Sequence, residues 1–230
     1  MTQANFVPQC VVALDIGSDG CGYAFSMDYQ FKTDLCDIQI PIWSPSTGSM
    51  TSLKAPSAIL FDSDKKFKAV GFDPQDKIDE ILNSGDQNNW YYVECFKMAL
   101  YNAVEKGEDI RKDFLIREKE GKEISAKFLF SSSIKFLKDH FLKAVFDRQI
   151  SFQEDKIKWI STVPAIWTDS CKQFMRESAT ELESVVPKEV EIDIPEINFI
   201  VDKCEIEQRR IILKTFQPGT KLLVVGAGGK

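Results

Sequence analysis

The chain has 230 residues, a net charge of -6 and a sequence pI near 5.0, with 43% apolar and 28% charged residues. That composition is ordinary for a soluble globular protein with a sizeable core. The acidic balance argues against a nucleic-acid backbone and against an anionic membrane surface as partners.

No apolar run approaches the ~18 residues of a spanning helix. The opening MTQANFVPQC has neither a basic nor a long apolar region, so no signal peptide is expected. The six cysteines form no Cys-x-x-Cys pair and there is no Asn-x-Ser/Thr sequon, which together fit free thiols in a reducing, cytoplasmic compartment. With His140 the one histidine, a zinc site is not expected.

In chain order, Val11–Leu14, Gly22–Met27 and Ile38–Trp43 read as a three-stranded meander. The stretch SPSTGSMTSLKAPS is a polar loop, and Ala58–Phe61 with Phe67–Val70 forms a short hairpin. Asp73 caps a helix that has Pro74 at its first position and runs to about Leu82. NSGDQNN is a turn, and Trp90–Val104 reads as a helix. Glu105–Lys122 is charge-dense surface.

Ser125–Arg148 carries the clearest helical stripe, on Ile134, Leu137, Phe141 and Val145. His140 falls off that stripe and reads as a solvated helix histidine rather than a catalytic one. Ile157–Val163 is a strand, and Asp169–Leu182 a helix entered through Thr168. Asn198–Val201 is a strand, Glu205–Lys214 a helix and Leu222–Val225 a last strand before GAGGK. The sum is α/β: a mixed sheet flanked by helices.

The hairpin ALDIGSDGCGYAFS places Asp15 at a strand end, then Gly17, Ser18, Asp19, Gly20 and Gly22. On its own this is a glycine-rich turn able to cradle phosphate or simply to reverse the chain. Asp19 puts a negative charge where a phosphate would approach.

Three stretches together resemble the actin-like ATPases, and among them the heat shock 70 kDa chaperones. ALDIGSDGCGYAFS is similar to the first phosphate loop, Asp-x-Gly-Thr-Thr followed by a strand. WISTVPAIWTDSCKQFMRESA is similar to the chaperones' Val-Pro-Ala-aromatic helix entry. LLVVGAGGK looks like the start of the second loop, Asp-x-Gly-Gly-Gly-Thr. GYAFS, FKMAL and VPAIW favour the divergent heat shock 70 kDa protein 12 branch, and VPAIW points away from the sugar and acetate kinases of the superfamily. The resemblance spans about residues 11–230.

The resemblance implies an actin-like, ribonuclease-H-like lobe I with an inserted smaller subdomain. Residues 1–50 and 123–217 would form the IA-like part, 51–122 the IB-like insertion, and 218–230 the start of a second lobe. It implies ATP or ADP with Mg²⁺ as ligand. Asp15 would order the metal's water shell. Gly17, Ser18, Asp19 and Gly20 would present the first loop, and Gly228 and Gly229 the second. Lys97 would reach the γ-phosphate, Pro164 would be the nucleotide switch, and Asp202 the carboxylate of the family's Glu-Pro position.

Two departures matter. Gly226 stands where the second loop's Asp belongs, and Asp19 stands where the first loop has Thr. The expectation is therefore weak nucleotide binding with little or no hydrolysis. The alternative is a non-enzymatic interaction module that keeps the lobe I partner surface. A protein client or co-chaperone is an expected partner, as is self-association through an uncovered strand edge.

Overall fold

The computed structural model describes residues 8–34, 37–46, 48, 50–111, 113–164, 167–180 and 198–202. The helix expected at Glu205–Lys214, the strand at Leu222–Val225 and the second-loop residues Gly226, Gly228 and Gly229 lie outside these.

A five-stranded sheet organises the chain. β1 (Cys10–Ile16) pairs antiparallel with β2 (Gly20–Met27), and β2 pairs with the two-residue β3 (Ala55–Pro56). On its other side β1 runs parallel to β9 (Ile157–Pro164), which runs parallel to β10 (Asn198–Asp202). The order is β10-β9-β1-β2-β3. Every residue of β1 is buried, which is why CVVALDI is a continuous apolar run broken only by Asp15: a strand with neighbours on both edges and cover on both faces does not alternate.

One face of this sheet packs on two helices, α4 (Ala126–Asp147) and α5 (Asp169–Thr180). Cys10, Val12, Leu14 and Ile16 point to that side, with Tyr23, Phe25 and Met27 of β2. The stripe expected on α4 is the buried one: Ile134, Leu137, Phe141 and Val145. Ser125 caps α4 by accepting from the Phe128 N–H at 3.4 Å, and Thr168 meets the Cys171 N–H in the same way at 3.4 Å. Val11, Ala13, Ala24 and Ile160 form a small buried cluster on the opposite face.

Between β3 and α4 lies a second, smaller unit. β4 (Ala58–Asp62) is the middle strand of an antiparallel sheet ordered β5-β4-β6, with β5 (Phe67–Val70) and β6 (Trp90–Glu94). α2 (Phe72–Ser84) and α3 (Phe96–Glu105) accompany it, and a two-stranded ribbon, β7 (Leu115–Arg117) and β8 (Glu123–Ser125), leads into α4.

Several expectations are corrected. Ile38–Trp43 is not a third strand: only single bridges form, Phe25 with Gln39 and Trp43 with Ser52. Pro41 has no N–H for a ladder, and β3 takes the place beside β2. A short helix, α1 (Asp28–Thr33), follows β2 instead. Trp90–Glu94 is strand rather than helix; its aromatic and β-branched side chains suit a pleated surface. Cys95, at φ 50°, then breaks the chain direction before α3. α2 begins one residue before Asp73, with Gly71 at φ 94° as its cap position. Asp73 accepts from the Ser46 hydroxyl at 3.2 Å instead.

His140 is also not a solvated helix histidine. Its ring lies 4.3 Å from that of Trp43, and its Nδ1 meets the Tyr23 hydroxyl at 2.9 Å. Half-burial, with Lys143 nearby, holds His140 below its ordinary range. Burial pushes the Tyr23 hydroxyl up to about 12, so it stays protonated. A histidine with a depressed folded-state pKa takes up its proton more readily in the unfolded chain. Its contribution is present above the ordinary value of about 6.5 and is lost as pH falls below that. Thermal melts from neutral to mildly acidic pH should therefore show stability falling, and His140→Gln should flatten that fall. An unchanged pH profile in the variant would assign the effect to other groups.

Candidate functional site

The topology gathers the candidates at one end of the main sheet. Leu14 pairs with Ser161, and Pro164 pairs with Asp202. Asp15, Pro164 and Asp202 therefore sit together at the carboxyl ends of three parallel strands. In open α/β sheets that end is where ligands bind.

The β1–β2 turn closes on itself. The Gly17 N–H donates to the Gly20 carbonyl at 3.0 Å. That N–H is taken up within the turn. No partner is seen for the N–H groups of Ser18 and Asp19 among the described residues, and these two remain as donors at the tip. Gly17 is required by the turn itself: a Cβ there would lie inside contact distance of the Gly20 carbonyl oxygen.

Ser57, which sequence reasoning passed over, ties this turn to the smaller unit. Its hydroxyl donates to the Gly17 carbonyl at 2.8 Å and its N–H to the Asp19 carbonyl at 3.0 Å. Its own carbonyl accepts from the Cys95 N–H at 3.0 Å. One buried residue thus joins the hairpin to the start of α3. The N-terminal end of α3, with its partial positive charge, is held beside the glycine turn.

Lys97 sits in the first turn of α3, and its Nζ lies 5.9 Å from the centre of the Trp167 ring. Trp167 is buried and follows β9. Lys97 therefore spans from the smaller unit to the segment after Pro164. Asp19 is exposed, and its charge acts on Cys95 at the start of the same helix. The Cys95 thiol is held above its ordinary range by burial, then by Glu94 and Asp19. It is consequently a protonated thiol and not a ready nucleophile.

The second unforeseen residue is Lys54. Asp15 is only 2% exposed, and its Oδ2 accepts from Lys54 Nζ at 2.6 Å. Lys54 lies 39 positions away in a loop read only as polar. The donor set for a hydrated Mg²⁺ is thus a poor one. The carboxylate at the loop is already in an ion pair, and no group of three or more His, Cys, Asp or Glu side chains is arranged around a common point among the described residues. Pro164 and Asp202 are placed here by their backbone register alone.

No protein-family model matches the chain. It is 31% identical over 182 residues to mouse heat shock 70 kDa protein 12A, a match covering 79% of this chain and 26% of that protein. Human heat shock 70 kDa protein 12A gives 30% over 182 residues. Human heat shock 70 kDa protein 12B gives 31% over 179 residues, 77% of this chain and 24% of the relative. The chain thus spans about a quarter of the length of the curated relatives it matches. Among solved structures, MreB5 of Spiroplasma citri bound to ADP is similar with a TM-score of 0.37 at 10% identity, over 85% of this chain and 38% of that one. No helix among the described residues is long and apolar enough to cross a membrane. Over the matched 182 residues the chain is a partial homologue of the heat shock 70 kDa protein 12 proteins and fits a divergent branch of the heat-shock-70-like proteins.

Proposed function

We propose that this chain is a nucleotide-binding lobe of the heat-shock-70 type, chaperone-related, which binds ADP or ATP weakly and hydrolyses little or none. The observation that carries the reading is the convergence at the sheet's carboxyl end. The tip of the Asp15–Gly20 turn, the start of α3 with Lys97, and the strand ends at Pro164 and Asp202 meet there. Its division follows the resemblance: 1–50 and 123–217 as IA-like, 51–122 as IB-like and 218–230 as the start of a second lobe. The free thiols of Cys10, Cys21, Cys95 and Cys171 support a cytoplasmic setting.

Binding falls to the tip N–H groups of Ser18 and Asp19 and to the ammonium of Lys97. Turnover needs a positioned water and charge stabilisation around the γ-phosphate from both sides. Among the described residues, the turn tip and Lys97 supply one side.

Calorimetric titration with ADP and ATP tests the reading. Lys97→Ala should leave the fold intact and weaken binding by about 1–3 kcal/mol, through loss of one charge-assisted contact. Equal affinity in the variant would return Lys97 to the role of a surface lysine packed on Trp167.

Asp19 should act in the opposite sense. Its exposed carboxylate, at the tip of the turn, would repel an incoming phosphate. Asp19→Thr should tighten ADP binding about tenfold at low salt, and the gain should shrink as salt rises. Titrations of wild type and variant at two salt concentrations decide this. A variant that binds more weakly would make Asp19 a ligand rather than an obstacle.

A second reading is favoured by a different surface. Ile40, Ile42, Met50 and Leu53 are exposed along the segment that follows α1, with Ile42 at 70% and Met50 at 75%. Apolar side chains gathered in one exposed segment suit a protein partner, a client or another copy of the chain. A chain that binds no nucleotide yet self-associates in light scattering would support this interaction module over the nucleotide lobe.

A further inference from the structure

We propose that Lys54 is a counter-charge built into the phosphate turn, so that a nucleotide's phosphates are held there without a divalent cation. This rests on the nucleotide reading above.

The argument begins with shape. Lys54 lies along the track of glycines in the hairpin. A Cβ on Gly20 would stand 3.0 Å from Lys54 Cβ, one on Gly22 would stand 3.7 Å from Lys54 Cγ, and one on Gly17 would stand 3.7 Å from Lys54 Nζ. The glycine spacing that suggests a phosphate cradle is therefore filled by a lysine stem, with its ammonium delivered beside the turn. The backbone is anchored as well: the Lys54 N–H donates to the Ser52 hydroxyl at 3.1 Å.

Charge completes it. Asp15 is buried, its Oδ2 2.6 Å from Lys54 Nζ, while the lysine side chain keeps 31% of its surface exposed. A magnesium ion brought to Asp15 would meet an ammonium at that oxygen. A phosphate brought to the turn would meet that same ammonium, which has three donors and spends one on Asp15. The pair thus balances the carboxylate, and the ammonium keeps two donors for the phosphate.

The test is ADP and ATP binding by calorimetry to the full chain, in EDTA and in Mg²⁺. Wild type should bind with the same affinity in both buffers. Lys54→Met keeps the stem and drops the charge. It should bind at least about tenfold more weakly in EDTA and regain affinity in Mg²⁺, because the ammonium no longer competes with the cation for Asp15. Since Lys54→Met removes the ammonium that balances the buried Asp15, the double variant Asp15→Asn/Lys54→Met serves as the neutral partner. It should fold, as judged by circular dichroism, and bind weakly in both buffers. Wild-type binding that requires Mg²⁺ would overturn the role of Lys54 and leave the nucleotide lobe standing. No binding in either buffer would overturn both.

Discussion

Phe141→Ala should destabilise the chain by about 3–5 kcal/mol, the range for truncating a fully buried aromatic side chain. Phe141 has no exposed surface and sits in the C-terminal third of α4, where that helix meets the main sheet. Its ring meets Phe25 at 5.2 Å, Trp159 at 5.5 Å and Tyr23 at 5.7 Å, all edge-on. Those three come from β2 and β9, on either side of β1. One truncation therefore opens a void under three strands at once. Aromatic edge contacts add to the area term. In a domain of this size the midpoint of thermal unfolding should drop on the order of 10 °C. Urea denaturation gives the free energy directly, and a loss under about 1 kcal/mol would mean that the surrounding rings collapse into the space.

Gly17→Ala is the second large effect, and it reaches stability and binding together. The added methyl meets the Gly20 carbonyl oxygen, a backbone atom that cannot swing away as a side chain could. The same carbonyl accepts the Gly17 N–H, and the Gly17 carbonyl accepts the Ser57 hydroxyl. Opening the turn therefore strains two hydrogen bonds and loosens the link to α3. A cost of about 1–3 kcal/mol is expected, with loss of nucleotide binding because the Ser18 and Asp19 N–H groups are re-aimed. Gly85→Ala is the control. Gly85 follows α2 at φ 70° with open space where a Cβ would go. Its cost should be about 1 kcal/mol of backbone strain, with binding unchanged. Wild-type stability and affinity in Gly17→Ala would remove the turn from the site.

The contrast between these residues shows what the sequence could reveal. Phe141 was legible because α4 repeats its apolar positions over 22 residues, long enough for the helical period to stand out. β1, β2 and β9 were legible as apolar runs, and the first hairpin by its glycines. The purpose of those glycines was not. Gly17 is explained by its own turn, and the glycine track by the side chain of Lys54, 39 residues from its partner Asp15. No local pattern announces such a pair. Ser57 was missed for the same reason: its three bonds join segments that only tertiary structure brings together. Trp90–Glu94 was misread because a short apolar run has no period of its own, and its partner β4 decides that it is a strand.

In the proposed function, the carboxyl end of the main sheet receives a nucleotide's phosphates. Amide-resolved NMR of the chain titrated with ADP tests it most directly, because it reports where binding occurs as well as whether. Shifts are expected to concentrate at Gly17–Gly20, at Lys54 and through the first turn of α3 around Lys97, with the far end of α4 near Asp147 unmoved. Saturating shifts confined to any other part of the chain, or none at the turn while ADP is demonstrably bound, would contradict it.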